Sequence, residues 1–205
     1  MKGLVKMTST TLRDLGQADN TPARLGSSTL IMIDFQNTYR TGVMELEGAE
    51  AGVAAGARLL ERARNAGSRI IHVRHDAGPD SPYDLTAPIG QISDEVAPID
   101  GESIVTKQYP NSFHQTDLLS LLEGAGAGDD LVLAGFMAHM CLRSTAEGAF
   151  NLGYRPTVVA DATATRSLTS PGGGIIGAAQ LREASLTTIT DVFGTVVGSS
   201  DDLTT

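Results

Sequence analysis

Short apolar segments alternate with longer amphipathic segments along most of this 205-residue chain. Six short segments, rich in valine, isoleucine, leucine and threonine, predict β-strands at residues 29–33, 69–74, 103–106, 131–135, 156–161 and 194–197. Most are almost continuously apolar rather than alternating with polar residues. This pattern is typical of strands that are buried on both faces, and it predicts a mainly parallel sheet.

The segments between the strands show helical periodicity. Predicted helices cover residues 49–66, 117–123, 141–152 and 177–190. In the first of them, Val53, Ala57 and Leu60 recur at helical spacing, and Gly67 ends the helix. Alternating strands and helices predict a three-layer, doubly wound α/β fold with a six-stranded, mainly parallel sheet.

The domain organisation follows from where this alternation starts and stops. Residues 1–27 are polar and mixed and are interpreted as an N-terminal arm, residues 28–198 as one domain, and residues 199–205 as a C-terminal tail. Inside the domain, residues 76–102 hold four prolines and no clear period. A loop of this length in a compact domain is often functional, so it is expected to form a lid or part of a pocket wall.

Composition and charge limit the kinds of binding partner that the protein is expected to have. The formal net charge is −9, which argues against binding to nucleic acid or to an anionic membrane. No segment approaches the roughly 20 apolar residues that cross a bilayer, and the N-terminus lacks the apolar core of a signal peptide. The single cysteine cannot form an internal disulfide, so a cytoplasmic location is expected.

Three chemically active side chains follow predicted strands. Asp34 ends the first strand, Lys107 follows the third, and Cys141 comes after the fourth and a short turn. The carboxyl ends of parallel strands meet at the edge where α/β proteins bind ligands. A carboxylate, an ammonium and a thiol are therefore expected to meet there, in a site for a small-molecule substrate.

The chemistry of this set is that of a thiol nucleophile. A nearby ammonium and the N-terminus of a helix are expected to lower the pKa of the Cys141 thiol. Asp34 is the candidate general base, and Lys107 holds the two charges together. Backbone N–H groups in the turn 135–141 are candidate donors to a tetrahedral oxyanion. A redox role is disfavoured because there is no resolving cysteine, and a dinucleotide site because the turn after the first strand lacks the glycine pattern.

Three motifs in order resemble the isochorismatase-like cysteine hydrolase superfamily, over about residues 28–198. They are Ile-Asp-Phe-Gln-Asn at 33–37, Val-Thr-Lys at 105–107 leading to Asn-Ser-Phe at 111–113, and Ala-Gly-Phe-Met-Ala-His-Met-Cys at 134–141. The resemblance implies an Asp34–Lys107–Cys141 triad and a homo-oligomer, a dimer or a tetramer. It also implies a non-proline cis peptide bond between Phe136 and Met137, with the N–H groups of Met137 and Cys141 as the oxyanion hole.

The resemblance also bears on the substrate and on cofactors. Because Cys141 is present, cleavage of an amide or related C–N bond through a thioester is favoured. A vinyl-ether hydrolase and a non-catalytic interaction module stay open as alternatives. The Asp-x-His pair that binds zinc in nicotinamidases is absent, so no metal and no cofactor are expected. The predicted pocket residues are Gln36, Tyr39, Phe113 and His139, with Arg40, Arg74 or Arg166 as a partner for one carboxylate.

Overall fold

A single parallel sheet organises the protein, which was analysed as a computed structural model that describes residues 9–124 and 128–205. The strands are β1 (Thr29–Ile33), β2 (Arg69–His75), β3 (Ser103–Lys107), β4 (Asp130–Phe136), β5 (Arg155–Ala164), β6 (Leu168–Thr169), β7 (Ile175–Ile176) and β8 (Thr195–Val197). Six of them form the sheet in the order β3-β2-β1-β4-β5-β8, and every neighbouring pair in it is parallel. The strand order reverses direction between β1 and β4, which makes this pair the topological switch point.

Helices cover both faces of the sheet. They are α1 (Leu12–Leu15), α2 (Ala49–Ala66), α3 (Leu118–Gly124), α4 (Arg143–Asn151) and α5 (Ala178–Thr188). The helix α2 packs on one face in one buried cluster, and α3, α4 and α5 contribute to a second cluster on the other face. The predicted three-layer α/β fold with a six-stranded parallel sheet is confirmed.

The strand β1 shows why its sequence is continuously apolar. Leu30 and Met32 point into the α2 cluster, whereas Ile31 and Ile33 point into the opposite cluster, and all five residues of the strand are buried. A strand in the middle of a sheet covered on both faces has no solvent-facing side chain. The continuous apolar sequence of β1 therefore reflects its central position in the sheet.

A glycine allows β1 and β4 to approach at the switch point. Gly135 has φ +133°, and a Cβ there would lie 1.9 Å from the carbonyl oxygen of Ile33. An alanine would therefore collide with the backbone of β1, besides adopting a strained φ. The close approach brings the ends of the two strands together, and with them the segments that carry Asp34 and Cys141.

Three elements differ from their prediction. The strand β5 runs to Ala164 rather than to Asp161, because a register shift opposite β4 lets Thr163 pair with Gly135. A small hairpin, β6–β7, surrounds the glycine-rich segment 172–174. The predicted helix 141–152 starts earlier, with a π-helical turn at Ala138–Leu142 that leads into α4.

The chain ends lie against the domain where they are described. The N–H of Ala23 donates to Thr157 Oγ1, and the N–H of Leu25 donates to the carbonyl of Thr204. The first eight residues of the predicted arm lie outside the described residues, and the three domain boundaries stay predictions. In the described part of the chain, no helix combines the length and apolarity needed to cross a membrane.

Candidate active site

The three strand-end residues meet at the switch point. Lys107 Nζ lies 2.7 Å from Asp34 Oδ2 and 3.3 Å from Cys141 Sγ, and the side chains of Lys107 and Asp34 are fully buried. Asp34 directly follows β1, and Cys141 follows β4, the neighbouring strand. The carboxylate and the thiol thus come from the pair of strands where an open α/β sheet forms its ligand crevice.

Asp34 owes its direction to an unusual backbone. Its φ is +52°, in the left-handed region, and its N–H donates to the carbonyl of Val73 at the end of β2. Aspartate is among the few residues with a side chain that tolerate this conformation. The chain therefore bends sharply where β1 ends, and the carboxylate stays in the buried site.

Lys107 reaches the site from a distance. It ends β3, the edge strand, and its side chain crosses the end of β2 to reach Asp34; its neighbour in register on β2 is His75. Burial acts to lower the pKa of Lys107, but the negative charge of Asp34 and the contact with Cys141 outweigh it and hold the pKa above its ordinary value. The ammonium therefore stays charged.

The Cys141 thiol differs from the expectation. Burial raises its pKa to about 12, and the carboxylate of Asp34 adds to this effect, which Lys107 offsets only in part. The expected lowering is wrong, because a thiol that is only 5% exposed loses its hydration and also faces a carboxylate. The resting site therefore holds a neutral thiol, and a base must remove its proton before or during attack.

The turn before the cysteine carries the predicted oxyanion donors. The peptide bond between Phe136 and Met137 is cis. The carbonyl of Met137 accepts hydrogen bonds from the N–H groups of Met140 and Leu142. The Cys141 N–H lies in the first turn of this π-helical segment, where backbone donors lack a carbonyl one turn earlier.

Of the predicted pocket residues, two lie close to the triad and two take other roles. Tyr39 is buried, and its ring meets Phe136 edge-on with centroids 5.7 Å apart. Burial, and then Asp34, raise the pKa of the Tyr39 hydroxyl. His139 belongs to the turn before Cys141, is half-buried, and its Nδ1 contacts Thr165 Oγ1.

The side chains of Gln36 and Phe113 contact residues other than the three of the triad. The Gln36 side chain accepts from the N–H of His75 and donates to the carbonyls of His75 and Gly90, so its amide binds backbone. Phe113 stacks on Tyr154, with centroids 6.2 Å apart. Because Tyr154 precedes β5, this contact lies toward the amino edge of the sheet, and the structure does not bring Phe113 to the triad.

The three candidate arginines differ in their partners. Arg40 binds two carboxylates, those of Glu50 and Glu95, and Arg74 donates to Thr106. Arg166 follows β5 at the carboxyl edge of the sheet, and its Nη1 contacts the sulfur of Met44. Its Nε is buried without a hydrogen-bond partner among the described residues. Burial, and then the charge of Arg166, lower the pKa of His139. Among the described residues, Arg166 is therefore the one of these three arginines that holds a buried donor without a partner.

Sequence reasoning missed two residues of the site. His75 ends β2, with Nδ1 3.2 Å from Lys107 Nζ, and its ring lies 4.7 Å from that of Tyr83. Tyr83 belongs to the loop 76–102 and also meets Tyr39, with centroids 5.8 Å apart. The strand-end rule, applied to β2, would have found His75. Nothing in the sequence distinguishes Tyr83.

Other possible sites lie apart from the triad. A cavity of about 750 Å³ is lined by the chain before α1, by α5 and by β8, and none of the three triad residues lines it. Within residues 9–124 and 128–205, no three histidine, cysteine or carboxylate side chains are grouped as metal ligands. The expectation of no metal stays a prediction.

Comparison with known proteins identifies relatives over most of the chain. A sequence model described as "Isochorismatase domain" matches residues 28–201. The secreted isochorismatase effector Isc1 of Verticillium dahliae is 38% identical over 175 residues, which cover 85% of this chain and 89% of the relative. Maleamate amidohydrolase of Pseudomonas putida is 30% identical, with 84% of this chain and 83% of the relative covered. The crystal structure of an isochorismatase from Pseudomonas putida superposes with a TM-score of 0.91 at 38% identity, over 96% of this chain and 100% of that one.

Proposed function

Since the chain belongs to the isochorismatase family, we propose that this hydrolase is a cysteine amidohydrolase that cleaves a C–N bond of a small molecule. One observation carries the proposal: the buried ammonium of Lys107 contacts both the Asp34 carboxylate and the Cys141 thiol. These are the base, the nucleophile and the charge that thiol acyl transfer needs. Relatives named as amidohydrolases support the same reaction class.

The first half of the reaction forms a thioester. Cys141 Sγ attacks the amide carbon while its proton moves to Asp34, and the carbonyl π electrons pass to the oxygen. The oxyanion is held by the N–H groups of Met137 and Cys141. As the tetrahedral intermediate collapses, the C–N bond breaks, and Asp34 returns the proton to the leaving amine.

The second half regenerates the thiol. A water molecule attacks the thioester carbon and gives a proton to Asp34, and the same N–H groups hold the second oxyanion. The C–S bond then breaks, and the sulfur takes the proton from Asp34. The sum is amide plus water to carboxylic acid plus amine. Lys107 keeps a positive charge beside Asp34 and Sγ throughout, which offsets the cost of a thiolate in a buried site.

The substrate is proposed to carry a carboxylate. Arg166 has donors that no acidic side chain of the described chain takes up, whereas Arg40 is neutralised by two glutamates. A guanidinium binds a carboxylate through two parallel hydrogen bonds. Maleamate, after which one relative is named, is an amide with a free carboxylate. The proposed substrate class is therefore a small monoamide or ureido acid.

A second reaction, vinyl-ether hydrolysis, is favoured by one comparison. The relative Isc1 is named as an isochorismatase effector and is 38% identical. Its name also includes the word "secreted", so the cytoplasmic location expected from the single cysteine stays a prediction. The two reactions differ in their products, since an amidohydrolase releases an amine or ammonia and an isochorismatase releases pyruvate.

The test measures both products with wild type and Cys141→Ala. Amides, ureido acids and isochorismate are supplied, and ammonia and pyruvate are quantified. Ammonia release that falls at least about 1,000-fold in Cys141→Ala is expected for loss of a nucleophile. Pyruvate from isochorismate with silence on every amide would replace the amide proposal by ether hydrolysis.

Two further arms test the carboxylate and the metal. Arg166→Gln is expected to raise KM for an acidic amide at least about tenfold, whereas Arg74→Gln, its matched control, leaves KM unchanged. Equal effects of the two variants would remove Arg166 from the substrate site. Dialysis against a strong chelator is expected to leave turnover unchanged, and a loss restored by zinc would contradict the prediction of no metal.

A further inference from the structure

The ammonium of Lys107 has a third partner that the proposed mechanism does not use. Besides Asp34 and Cys141, Nζ lies 3.2 Å from Nδ1 of His75. A lysine ammonium has three N–H donors and no acceptor. The ammonium therefore forms an ion pair with Asp34 and has hydrogen-bond contacts with Cys141 and His75, three partners in all.

The contact with His75 requires a neutral imidazole. Nδ1 accepts a hydrogen bond from an ammonium only when it carries no proton itself, which leaves the ring hydrogen on Nε2. Burial, and then the charge of Lys107, lower the pKa of His75. The ring is therefore neutral near neutral pH and serves as an acceptor.

The backbone of His75 is held in place by Gln36. This side chain accepts from the His75 N–H over 2.8 Å and donates to the His75 carbonyl over 2.9 Å. It also donates to the carbonyl of Gly90 over 2.7 Å. Because Gln36 lies two residues after Asp34, it ties the acceptor His75 to the segment that carries the base.

The length of the Lys107 side chain explains why an acceptor is needed. The lysine belongs to the edge strand β3 and crosses the end of β2 to reach its two partners, so four rotatable bonds separate its charge from the backbone. Asp34 alone does not prevent the ammonium from turning away from the sulfur. An acceptor on β2 that takes one hydrogen holds the ammonium where it is paired with Asp34 and donates to Cys141.

We propose that His75 is a positioning residue, whose neutral Nδ1 orients the Lys107 ammonium between Asp34 and the Cys141 sulfur. This inference rests on the proposed function, because it assigns a role within the same site. His75 does not touch the substrate in this assignment and transfers no proton. Its effect is on how well the ammonium stabilises the thiolate, and therefore on kcat rather than on KM.

The experiment distinguishes the effect of the Nδ1 acceptor from the effect of the aromatic ring. His75→Phe keeps an aromatic ring against Tyr83 and removes the acceptor. His75→Leu, which also lacks the acceptor, serves as a second variant. His75→Asn places an amide oxygen near the position of Nδ1. His114→Phe is the matched control, since the ring of His114 meets Tyr109 edge-on in the same way, 4.6 Å away, on an exposed part of the chain.

Two rates are measured on proteins with a verified cooperative thermal transition. The first is alkylation of Cys141 by iodoacetamide at pH 8, which needs no substrate and remains readable if the proposed amide hydrolysis fails. The second is kcat and KM on any amide that wild type turns over. His75→Phe and His75→Leu are expected to be slower in both alkylation and kcat by about tenfold or more, with KM changed less than about threefold. His75→Asn is expected to recover most of the loss, and His114→Phe to match wild type.

Two results would overturn the proposal. One is a folded His75→Phe or His75→Leu variant in which Cys141 is alkylated at the wild-type rate, since the ammonium then needs no acceptor. The other is a His75→Asn variant as slow as His75→Phe, since the ring and not the acceptor would then be what matters.

Discussion

At the scale of single residues, the candidate site is defined by a conflict between burial and charge. Asp34 and Lys107 are fully buried and 2.7 Å apart, and such a pair is stable only when each charge has its partner. The thiol beside them stays protonated, with a pKa raised to about 12 by burial first and by Asp34 second. In the proposed mechanism, the thiolate therefore forms only as a substrate is attacked.

The first prediction at this scale concerns the pH dependence of Cys141. Its pKa lies far above neutrality, so the thiolate fraction rises about tenfold for each pH unit below that value. The rate of iodoacetamide alkylation is expected to climb from pH 7 to pH 10 without a plateau. Cys141→Ala provides the blank, because the chain has no other cysteine. A plateau beginning near pH 7 would show that the thiol is already ionised at rest.

The second concerns Glu102, which binds Arg64 through both carboxylate oxygens and also His72. The pKa of Glu102 is lowered to about 2: burial opposes this, but the bonds from Arg64, from the Ile99 N–H and from His72 outweigh it. A lowered folded-state pKa contributes stability above the unfolded value of 4.5 that is lost as the pH falls toward 2.

Glu102→Gln is therefore expected to lower the free energy of unfolding at pH 7 by up to about 3 kcal/mol. The difference from wild type should shrink as the pH falls from 4.5 toward 2. Urea unfolding at several pH values measures it, with the exposed Glu61→Gln as the control. A deficit that is constant down to pH 2.5 would contradict the ionic origin of this stability.

At the scale of elements, α2 shows how glycine inside a helix serves packing. Gly52 and Gly56 lie on the face of α2 that covers the sheet, and a Cβ at either would meet the ring of Phe136 or Phe35. Those two rings pack against each other with centroids 4.8 Å apart. Because Phe35 follows Asp34, and Phe136 precedes the turn to Cys141, the packing of α2 supports both segments that carry these candidate catalytic residues.

The prediction for this element is that Gly56→Ala destabilises the protein despite the higher helix propensity of alanine. The new Cβ would lie 2.6 Å from the Phe35 ring, and such overpacking typically costs about 1–3 kcal/mol. Gly124→Ala, at the end of α3 with no atom of the described residues within 4 Å of its Cβ, is the control and should be neutral or stabilising. Thermal unfolding of the two variants checks this, and equal transition temperatures would argue against the close packing of α2.

At the scale of the whole molecule, segments at the carboxyl edge of the sheet carry exposed apolar side chains. Val43 is 80% exposed, Ile175 78% and Met140 38%, and each lies in a segment that follows the carboxyl end of a sheet strand. Exposed apolar side chains at one edge of a protein are a feature of many surfaces that bind another protein. The homo-oligomer that the family resemblance implies stays a prediction, and this edge is its proposed interface.

The corresponding prediction is a dimer or tetramer of the 21.4 kDa chain. Light scattering coupled to size exclusion at micromolar concentration measures the mass. Val43→Asp is expected to shift the mass toward that of the monomer, because an exposed carboxylate in an apolar interface loses its hydration. Asn151→Asp, at an exposed position at the end of α4 away from this edge, is the control. A monomeric wild type would contradict the prediction.

The sequence by itself determined the elements and the identity of the strand-end residues. The strand β1 and the helix α2 were predicted with the bounds that the structure has. The spacing of apolar residues along the sequence indicates whether an element is buried on both faces or along one stripe. Asp34, Lys107 and Cys141 stood out because each follows an apolar strand. Local pattern is sufficient for such features, as each depends on residues only a few positions apart.

Only the tertiary structure decided what these residues do to one another. The raised pKa of Cys141 depends on burial in the folded domain and on Asp34, which is more than one hundred positions away in sequence. Three other contacts also join residues that are far apart in sequence. Gln36 binds backbone carbonyls, Phe113 stacks on Tyr154, and His75 contacts Lys107. Desolvation and hydrogen bonding act through space, so a one-dimensional pattern locates the chemistry but does not set its charge states or its partners.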